Sequence, residues 1–233
     1  MELYQRGVVI PMSIDYEKIY NHDYFSGKNS FFYRTGYGDD ALWGLAKYSF
    51  QNLSNPIKKY LDKSDTTRIL DVGCAYGIML EQFPKNFQKT GIDVSSHAID
   101  VARKRLPDAD FVVGDAQKLY PFPKDHFDVV ICNDVLEHVE EPEKVLENIW
   151  TVLKPHGFIY VTTPNLNFIR KTLFAYPDKK EHHISLVSHD KLLALLQKTG
   201  FTIKERWTFF NIVIRIFRLA SNVGSESGVI CSK

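Results

Sequence analysis

Three residues with chemically useful side chains follow one apolar run, in the stretch NDVLEHVEE at 133–141. Asp134, Glu137 and His138 have the spacing i, i+3 and i+4, which places them on one face if the segment is helical. Two carboxylates and an imidazole can hold a divalent cation such as Mg²⁺, Mn²⁺ or Zn²⁺, and a histidine near a reacting group can act as a base. The same residues also suit a plain helix start, in which Asp134 caps the helix and His138 packs against the sheet. The pattern alone leaves these possibilities open.

A second group of candidate residues lies after short β-branched runs. In the loop DVGCAYG, Gly73 and Gly77 permit a tight turn and a close approach of a ligand to the backbone. Asp93 in GIDVS can accept hydrogen bonds from both hydroxyls of a ribose. Asp115 in VVGDA can accept from an adenine amine, while Ala116 donates its backbone N–H to the ring. Together these residues describe a site for adenosine without phosphate, as in S-adenosylmethionine.

The spacing of the glycine loop argues against a dinucleotide. A GxGxxG fingerprint surrounds a pyrophosphate with three glycines, whereas Ala75 stands at the second glycine position and Asp71 precedes the loop. An acidic residue at that point favours a cationic ligand over one that carries two phosphates. A nicotinamide-dependent oxidoreductase is therefore disfavoured.

An alternation of short strands and helices must position these residues. From Arg68 onwards the runs RILDVG, KTGIDV, DFVVGDA, FDVVICN and GFIYVTT are separated by segments with helical patterns. Five such strands with crossovers predict a parallel sheet that has helices on both faces. Ser96 is expected to cap one helix, and Pro142 to open another. Ligands bind beyond the carboxyl ends of the strands in such a sheet, which is where the candidate residues lie.

The chain is expected to fold as a cap followed by one larger domain. Residues 1–64 are expected to form an N-terminal helical and aromatic cap or lid, and residues 65–233 the ligand-binding domain, with lid insertions at about 165–187 and 208–225. Between the insertions, a leucine-striped helix capped by Ser188 leads to a sixth strand, and SGVICSK can form the last one. The cap is expected to lie over the ligand, although any single one of its aromatics more often serves helix packing. These aromatics are Tyr20, Tyr24, Phe31, Tyr33 and Tyr37.

Composition narrows the class of protein. At 233 residues, with 44% hydrophobic and 24% charged residues, the chain resembles a soluble globular protein with one sizeable core. A formal net charge of +1 gives no electrostatic reason to expect a nucleic-acid partner. The three cysteines lack CxxC spacing, and no run reaches the roughly 18 apolar residues of a membrane span. We therefore expect a cytoplasmic protein without a transmembrane segment.

The motifs together resemble those of class I S-adenosylmethionine-dependent methyltransferases. The resemblance covers about residues 65–205, through ILDVGCAYG, GIDVS, VVGDA, FDVVICNDVLEHV and VLKPHGFIYVTTPN in this order. It implies a doubly wound α/β fold with a seven-stranded, mostly parallel sheet whose last strand is antiparallel. It also implies that Asp93 binds the ribose, that Asp115 and Ala116 bind the adenine, and that Asn133 lies near the methyl group. The residues implied to border the methionine portion are Asp71, Gly73, Ala75 and Gly77.

The segment after the fourth strand is most similar to the small-molecule branch of these enzymes, which includes ubiquinone-type O-methyltransferases and methyltransferases of glycan or secondary-metabolite pathways. In the ubiquinone type, the resemblance implies a divalent cation bound by the residues that match Asp134, Glu137 and His138. His138 and His183 are the candidate catalytic residues at the acceptor, and His182 or His189 could take the role of His183. The stretch NDVL lacks the [DN]PP[YF] motif of enzymes that methylate nucleobase amines, and no Pro-Cys pair occurs to attack a pyrimidine.

The sequence therefore predicts transfer of a methyl group to a small-molecule acceptor, with a hydroxyl favoured. Two alternatives stay open: a catalytically inactive S-adenosylmethionine-binding regulatory or scaffold protein, and an N-methyltransferase of a small amine. Burial in the fold is the commonest role of an apolar run such as FFNIVIRIFRL at 209–219, which is also compatible with contact to a membrane surface or with a dimer interface. It weakly favours an apolar or carrier-linked acceptor. The sequence specifies neither the acceptor nor the oligomeric state.

Overall fold

The computed structural model describes residues 14–30, 40–61, 67–118, 122–210, 218–219 and 222–233. The strands in these residues are β1 (Arg68–Val72), β2 (Gln88–Asp93), β3 (Asp110–Val113), β4 (Phe127–Asn133), β5 (Leu153–Pro164), β6 (Thr202–Phe209), β7 (Arg218–Leu219) and β8 (Glu226–Ser232). They form one sheet in the order β3-β2-β1-β4-β5-β8-β6-β7.

The direction of the strands confirms the predicted sheet. β1 to β5 pair in parallel, whereas β8 runs antiparallel to both of its neighbours, β5 and β6. Seven strands with an antiparallel last strand are what the resemblance implied. The two-residue β7, which pairs antiparallel with β6 at the sheet edge, was not predicted. It lies in the expected insertion at 208–225, where 211–217 and 220–221 are outside the described residues.

Helices precede and connect the strands. In the described ranges they are α1 (Tyr16–Ile19), α2 (His22–Phe25), α3 (Asp40–Lys58), α4 (Ile78–Glu81), α5 (Ser96–Arg105), α6 (Pro142–Val152), α7 (Phe168–Leu173), α8 (Ala175–Lys180) and α9 (His189–Thr199), and a 3-10 turn spans Leu136–His138.

Capping explains where several helices begin. Pro142 opens α6, and the Ser188 side chain accepts the N–H of Lys191 at the start of α9, both as predicted. The expected cap at Ser96 was wrong by one residue. Ser95 caps α5 by accepting the N–H of Ala98, because Ser96 already has helical geometry.

Alternating apolar residues bury both faces of the sheet. On one face Ile69 and Ile131 pack with α3, α4 and α5, and on the other Leu70 and Val130 pack with α6 and α9. Successive side chains of a strand point to opposite faces, so one buried strand contributes side chains to two hydrophobic cores. α3 contributes Leu53 and Ile57 to the first core, although it precedes residue 65; the division into a cap and a domain at that residue stays a prediction.

The segment at 165–187 leaves the sheet and returns to it at one point. An isolated bridge joins Asn165 to Val187, and α7 and α8 form between these two residues. Its role as a lid stays a prediction. Within the described residues, no helix combines the length and apolar character that crossing a membrane requires.

Candidate functional site

A cavity lies beyond the carboxyl ends of β1 to β4, where ligands bind in open α/β sheets. It encloses about 710 Å³ free of protein atoms, part of it open to solvent. Predicted site residues in its lining are Gly73, Ala75, Asp93, Asp115, Ala116, Asp134 and His138. The sequence thus located the sheet side of this cavity correctly, although the ligand roles of these residues stay predictions.

Two short capped helices supply the opposite wall. Asp15 caps α1 and Asn21 caps α2 through side-chain oxygens that accept backbone N–H groups. The wall consists of Tyr16, Tyr20, Tyr24 and Phe25. Of the cap aromatics expected over the ligand, Tyr20 and Tyr24 line the cavity, whereas Phe31, Tyr33 and Tyr37 lie outside the described residues.

The sequence pattern did not single out Tyr16 or Phe25. A tyrosine recurs every four residues at 16, 20 and 24, and this spacing is the signal that could have indicated a common face. Phe25 stacks on Tyr76 of the glycine loop, with ring centroids 5.1 Å apart. The wall is therefore attached directly to the loop that it faces.

The glycine loop has left-handed backbone at three positions. Gly73 and Gly77 have φ of +72° and +74°, and a Cβ on Gly73 would lie 2.4 Å from Val135 Cγ2. Ala75, which the sequence placed at the second glycine position of a dinucleotide fingerprint, has φ of +45°. This conformation costs an ordinary L-residue roughly 1–2 kcal/mol. The Ala75 N–H donates to Asp93 Oδ2 at 2.9 Å, which helps to hold the strained residue in place.

Asp93 lies at the end of β2, 8% exposed, and connects two loops. Its Oδ2 accepts from Ala75 N–H, and its Oδ1 accepts the N–H of Ser95 at 2.9 Å. Burial raises the pKa of this carboxyl, and the backbone N–H donors oppose that rise. The side chain is thus fixed in orientation while it faces the cavity.

Asp71, Gly77 and Asn133 lie behind the lining residues. Asp71 is 2% exposed at the end of β1, and burial, followed by the nearby charge of Asp93, raises the pKa of its carboxyl well above the usual value. Gly77 begins α4, and the side chain of Asn133 is hydrogen-bonded to those of Thr162 and Asp134. The structure therefore places these three in a supporting layer.

Asp115 and Ala116 lie where β3 ends. Asp115 Oδ1 accepts the N–H of Gln117 at 2.9 Å, which forms a tight turn. The buried Asn148 side chain of α6 donates to the carbonyl oxygens of Ala116 and Lys118. Asn148 contacts the carbonyl oxygen of Ala116, so the Ala116 N–H takes no part in that contact. Both residues that were predicted to bind the adenine line the cavity.

Asp134 does not behave as a helix cap. The N-cap residue of the following 3-10 turn is Val135, and no side chain caps this turn. The alternative in which Asp134 caps a helix was therefore wrong. Asp134 has φ of +54°, and its Oδ1 lies 2.9 Å from Thr162 Oγ1. The left-handed backbone therefore turns its carboxylate toward β5 while the residue still lines the cavity.

Glu137, His138 and His183 come together next to this cavity. One potential ligand atom from each lies within 4.8 Å of the other two, and Asp134 is not part of this group. Glu137 is 1% exposed; its Oε2 accepts from Thr163 Oγ1, whereas its Oε1 has no hydrogen-bond partner within the described part of the chain. Burial, followed by the charge of Asp134, raises the pKa of Glu137 well above its usual value.

The two imidazoles are held by other side chains. His138 Nδ1 lies 2.9 Å from the Tyr20 hydroxyl, and His183 Nδ1 lies 2.9 Å from Asp178 Oδ1. The rings meet edge to face with centroids 4.7 Å apart. Burial, followed by the charge of His183, lowers the pKa of His138 well below its usual value, which favours the neutral imidazole. His138 thus faces the cavity, and His183 packs against it.

Comparisons with known proteins agree with this architecture. A family model described as a methyltransferase domain matches residues 45–206, which is more than half of the chain. A ubiquinone biosynthesis O-methyltransferase of Coxiella burnetii (strain Dugway 5J108-111) is 33% identical over 125 residues, 50% of this chain and 53% of that protein. The match therefore spans about half the length of that relative. Its counterpart in Shewanella sp. (strain ANA-3) is 26% identical over 205 residues, 79% and 87% of the two chains.

Solved structures share the fold. One from Thermotoga maritima, described as an S-adenosylmethionine-dependent methyltransferase and possible histamine N-methyltransferase, has a TM-score of 0.65 at 18% identity. The match covers 83% of this chain and 94% of that one. At this identity the likeness shows the fold alone.

Proposed function

The chain belongs to the S-adenosylmethionine-dependent methyltransferases, and on that premise we propose that it methylates a hydroxyl group of a small molecule. The observation that supports this most is the cavity at the strand ends, which Asp93, Asp115 and Asp134 line together with aromatic rings. Neither lysine nor arginine is found among its described lining residues. An acidic, aromatic cavity suits a ligand with a sulfonium and an ammonium group better than one with phosphates.

The cofactor would lie along the sheet side of this cavity. We assign the ribose hydroxyls to Asp93, the adenine to Asp115 and the Ala116 N–H, and the methyl group to the neighbourhood of Asn133. The methionine portion would lie against the glycine loop, where the residues assigned to it are Asp71, Gly73, Ala75 and Gly77. Methyl transfer is an in-line displacement from an activated sulfonium, so these residues act mainly by positioning.

The acceptor would lie between the cofactor and the tyrosine wall. Tyr20 and His138 line the cavity together, and their hydrogen bond marks a polar point on an otherwise aromatic surface. Burial raises the pKa of Tyr20, so its hydroxyl stays neutral and can donate. A phenolic or catecholic acceptor would pack against these rings and place its hydroxyl at this polar point.

A divalent cation is a further part of this proposal. Glu137 and His138 fit such an ion, because the buried Glu137 Oε1 has no hydrogen-bond partner within the described part of the chain. Asp134 fits it less well, since its carboxylate is engaged by Thr162. A cation bound there would polarise an acceptor hydroxyl.

The acceptor class can be tested with radiolabelled S-adenosylmethionine and a matched panel of phenols, catechols and aromatic amines. We expect the label to appear on catechols and phenols, because a hydroxyl can reach the Tyr20–His138 pair. Label found only on amines would contradict O-methylation. If the chain binds S-adenosylmethionine but labels nothing in the panel, the alternative of an inactive binding protein gains support. The O-methyltransferase names of the relatives make the hydroxyl the first choice.

Asp71 is expected to make cofactor binding depend on pH. The pKa of its carboxyl is raised by burial, so a proton at Asp71 competes with a bound ammonium group, and the affinity should increase as pH rises toward that pKa, by at most about tenfold per pH unit. Calorimetry in two buffers with different ionisation enthalpies would count the released proton. Asp71→Asn should abolish the release. Adenosine, which has no ammonium group, is the control ligand, and an equal pH dependence for adenosine would contradict this role.

A further inference from the structure

The segment at 165–187 contains a buried ion cluster centred on Arg170, which is 1% exposed. The Arg170 Nε lies 3.1 and 3.0 Å from the two carboxylate oxygens of Asp178, and Nη2 lies 2.5 Å from Asp178 Oδ1. Its Nη1 donates to Glu226 Oε1 at 2.9 Å and to the Ser225 carbonyl at 3.0 Å. The guanidinium thus ties α8 to the last strand and fixes the Asp178 carboxylate from one side.

The other side of that carboxylate orients His183. Asp178 Oδ1 lies 2.9 Å from His183 Nδ1, and a carboxylate oxygen can only accept there, so Nδ1 carries the proton. In the neutral imidazole the lone pair is then on Nε2. A carboxylate that accepts from one ring nitrogen while the other nitrogen is free is the arrangement found behind metal-bound histidines.

The neighbouring side chains of His138 and Glu137 also have atoms that are placed to bind a cation. When His138 Nδ1 donates to the Tyr20 hydroxyl oxygen, the lone pair is on His138 Nε2, which lies 3.9 Å from Glu137 Oε1. The Glu137 Oε1 is buried without a hydrogen-bond partner in the described residues, which is costly for a carboxylate unless a cation or proton is present. Three convergent ligand atoms, two of them oriented from behind, therefore surround one point.

We propose that His183 is a ligand of the divalent cation, together with Glu137 and His138, and that Asp178 and Arg170 hold it in place. The role of the cation in catalysis rests on the proposed function, whereas the geometry of its ligands does not. The sequence suggested Asp134 as the third ligand, because it lies near Glu137 and His138 along the chain. The fold instead places His183 next to Glu137 and His138, although His183 follows His138 by 45 residues. The segment that contains α7 and α8 connects them.

The donor set indicates which cation would bind. Two imidazoles and one carboxylate favour Zn²⁺, Mn²⁺, Fe²⁺ or Co²⁺, whereas Mg²⁺ prefers oxygen ligands. Three protein ligands leave at least one coordination position for another group, as in catalytic sites. Ligand atoms around a tetrahedral ion lie about 3.4 Å apart, so the group would contract modestly on binding.

The test is direct titration of the chelator-treated protein with Zn²⁺ and Co²⁺, without cofactor or acceptor and at one fixed pH. We expect His183→Gln to weaken binding by at least about 100-fold, and Asp178→Asn by about 10- to 100-fold. His182→Gln is the matched control, because that histidine is adjacent in sequence but exposed, and it should bind like the wild type. Asp134→Asn should change the affinity less than about threefold.

The Co²⁺ visible spectrum separates loss of a ligand from loss of the fold. A variant that folds, as judged by its melting temperature, but has lost the tetrahedral Co²⁺ bands has lost a ligand. The inference is overturned if the wild type binds neither ion, if His183→Gln binds like the wild type, or if Asp134→Asn rather than His183→Gln abolishes binding. Failure of O-methylation with intact metal binding would count against the proposed function alone.

Discussion

The Asp93→Asn variant is expected to bind S-adenosylmethionine about 100-fold more weakly than the wild type. The carboxylate accepts the backbone N–H groups of Ala75 and Ser95 and faces the cavity in which the ribose is proposed to bind. Hydrogen bonds to a charged group contribute about 1.5–3 kcal/mol each, and an asparagine supplies one acceptor oxygen where two are used. Isothermal titration calorimetry measures the change. Asp100→Asn, on the exposed side of α5, is the control and should leave the affinity unchanged.

A ligand comparison separates the two roles of Asp93. If it binds the ribose, the wild type should prefer adenosine to 2′,3′-dideoxyadenosine, and Asp93→Asn should lose most of that preference. If Asp93 only holds the glycine loop, both ligands should weaken by the same factor. Binding that stays tight in the variant would remove both roles.

Replacing Arg170 by methionine is expected to lower the free energy of unfolding by about 3–5 kcal/mol. The side chain is 1% exposed and forms ion pairs with the buried Asp178 and Glu226, and the variant would remove this cation from both carboxylates. Denaturant titration followed by circular dichroism measures the loss. The control is Lys144→Met, because the Lys144 to Glu147 ion pair is solvent-exposed and such pairs contribute little.

A triple variant identifies the cause of that loss. Arg170→Met combined with Asp178→Asn and Glu226→Gln also neutralises the two carboxylates while it keeps the side-chain volumes similar. We expect it to recover a substantial part of the lost stability, since a buried ion pair often contributes little beyond an apolar replacement. A triple variant as unstable as Arg170→Met alone would point to lost packing instead of unpaired charge.

The fold and one half of the cavity could be predicted from the sequence. Strand and helix patterns are local, and in a parallel sheet the carboxyl ends of strands meet at one edge. Residues such as Asp93 and Asp115, which follow two neighbouring strands, therefore had to lie near each other. The tight turn of the glycine loop could also be predicted, because Gly73 and Gly77 adopt left-handed backbone readily.

Only the tertiary structure decided which side chains complete the site. The left-handed backbone at Asp134 turns its carboxylate to Thr162, and no spacing rule distinguishes this from a helical face. His183 reaches Glu137 and His138 because α7 and α8 fold back over the sheet and because Arg170 fixes Asp178. Contacts between residues far apart in the chain depend on how the connecting segments pack, and that packing leaves no periodic signal in the sequence.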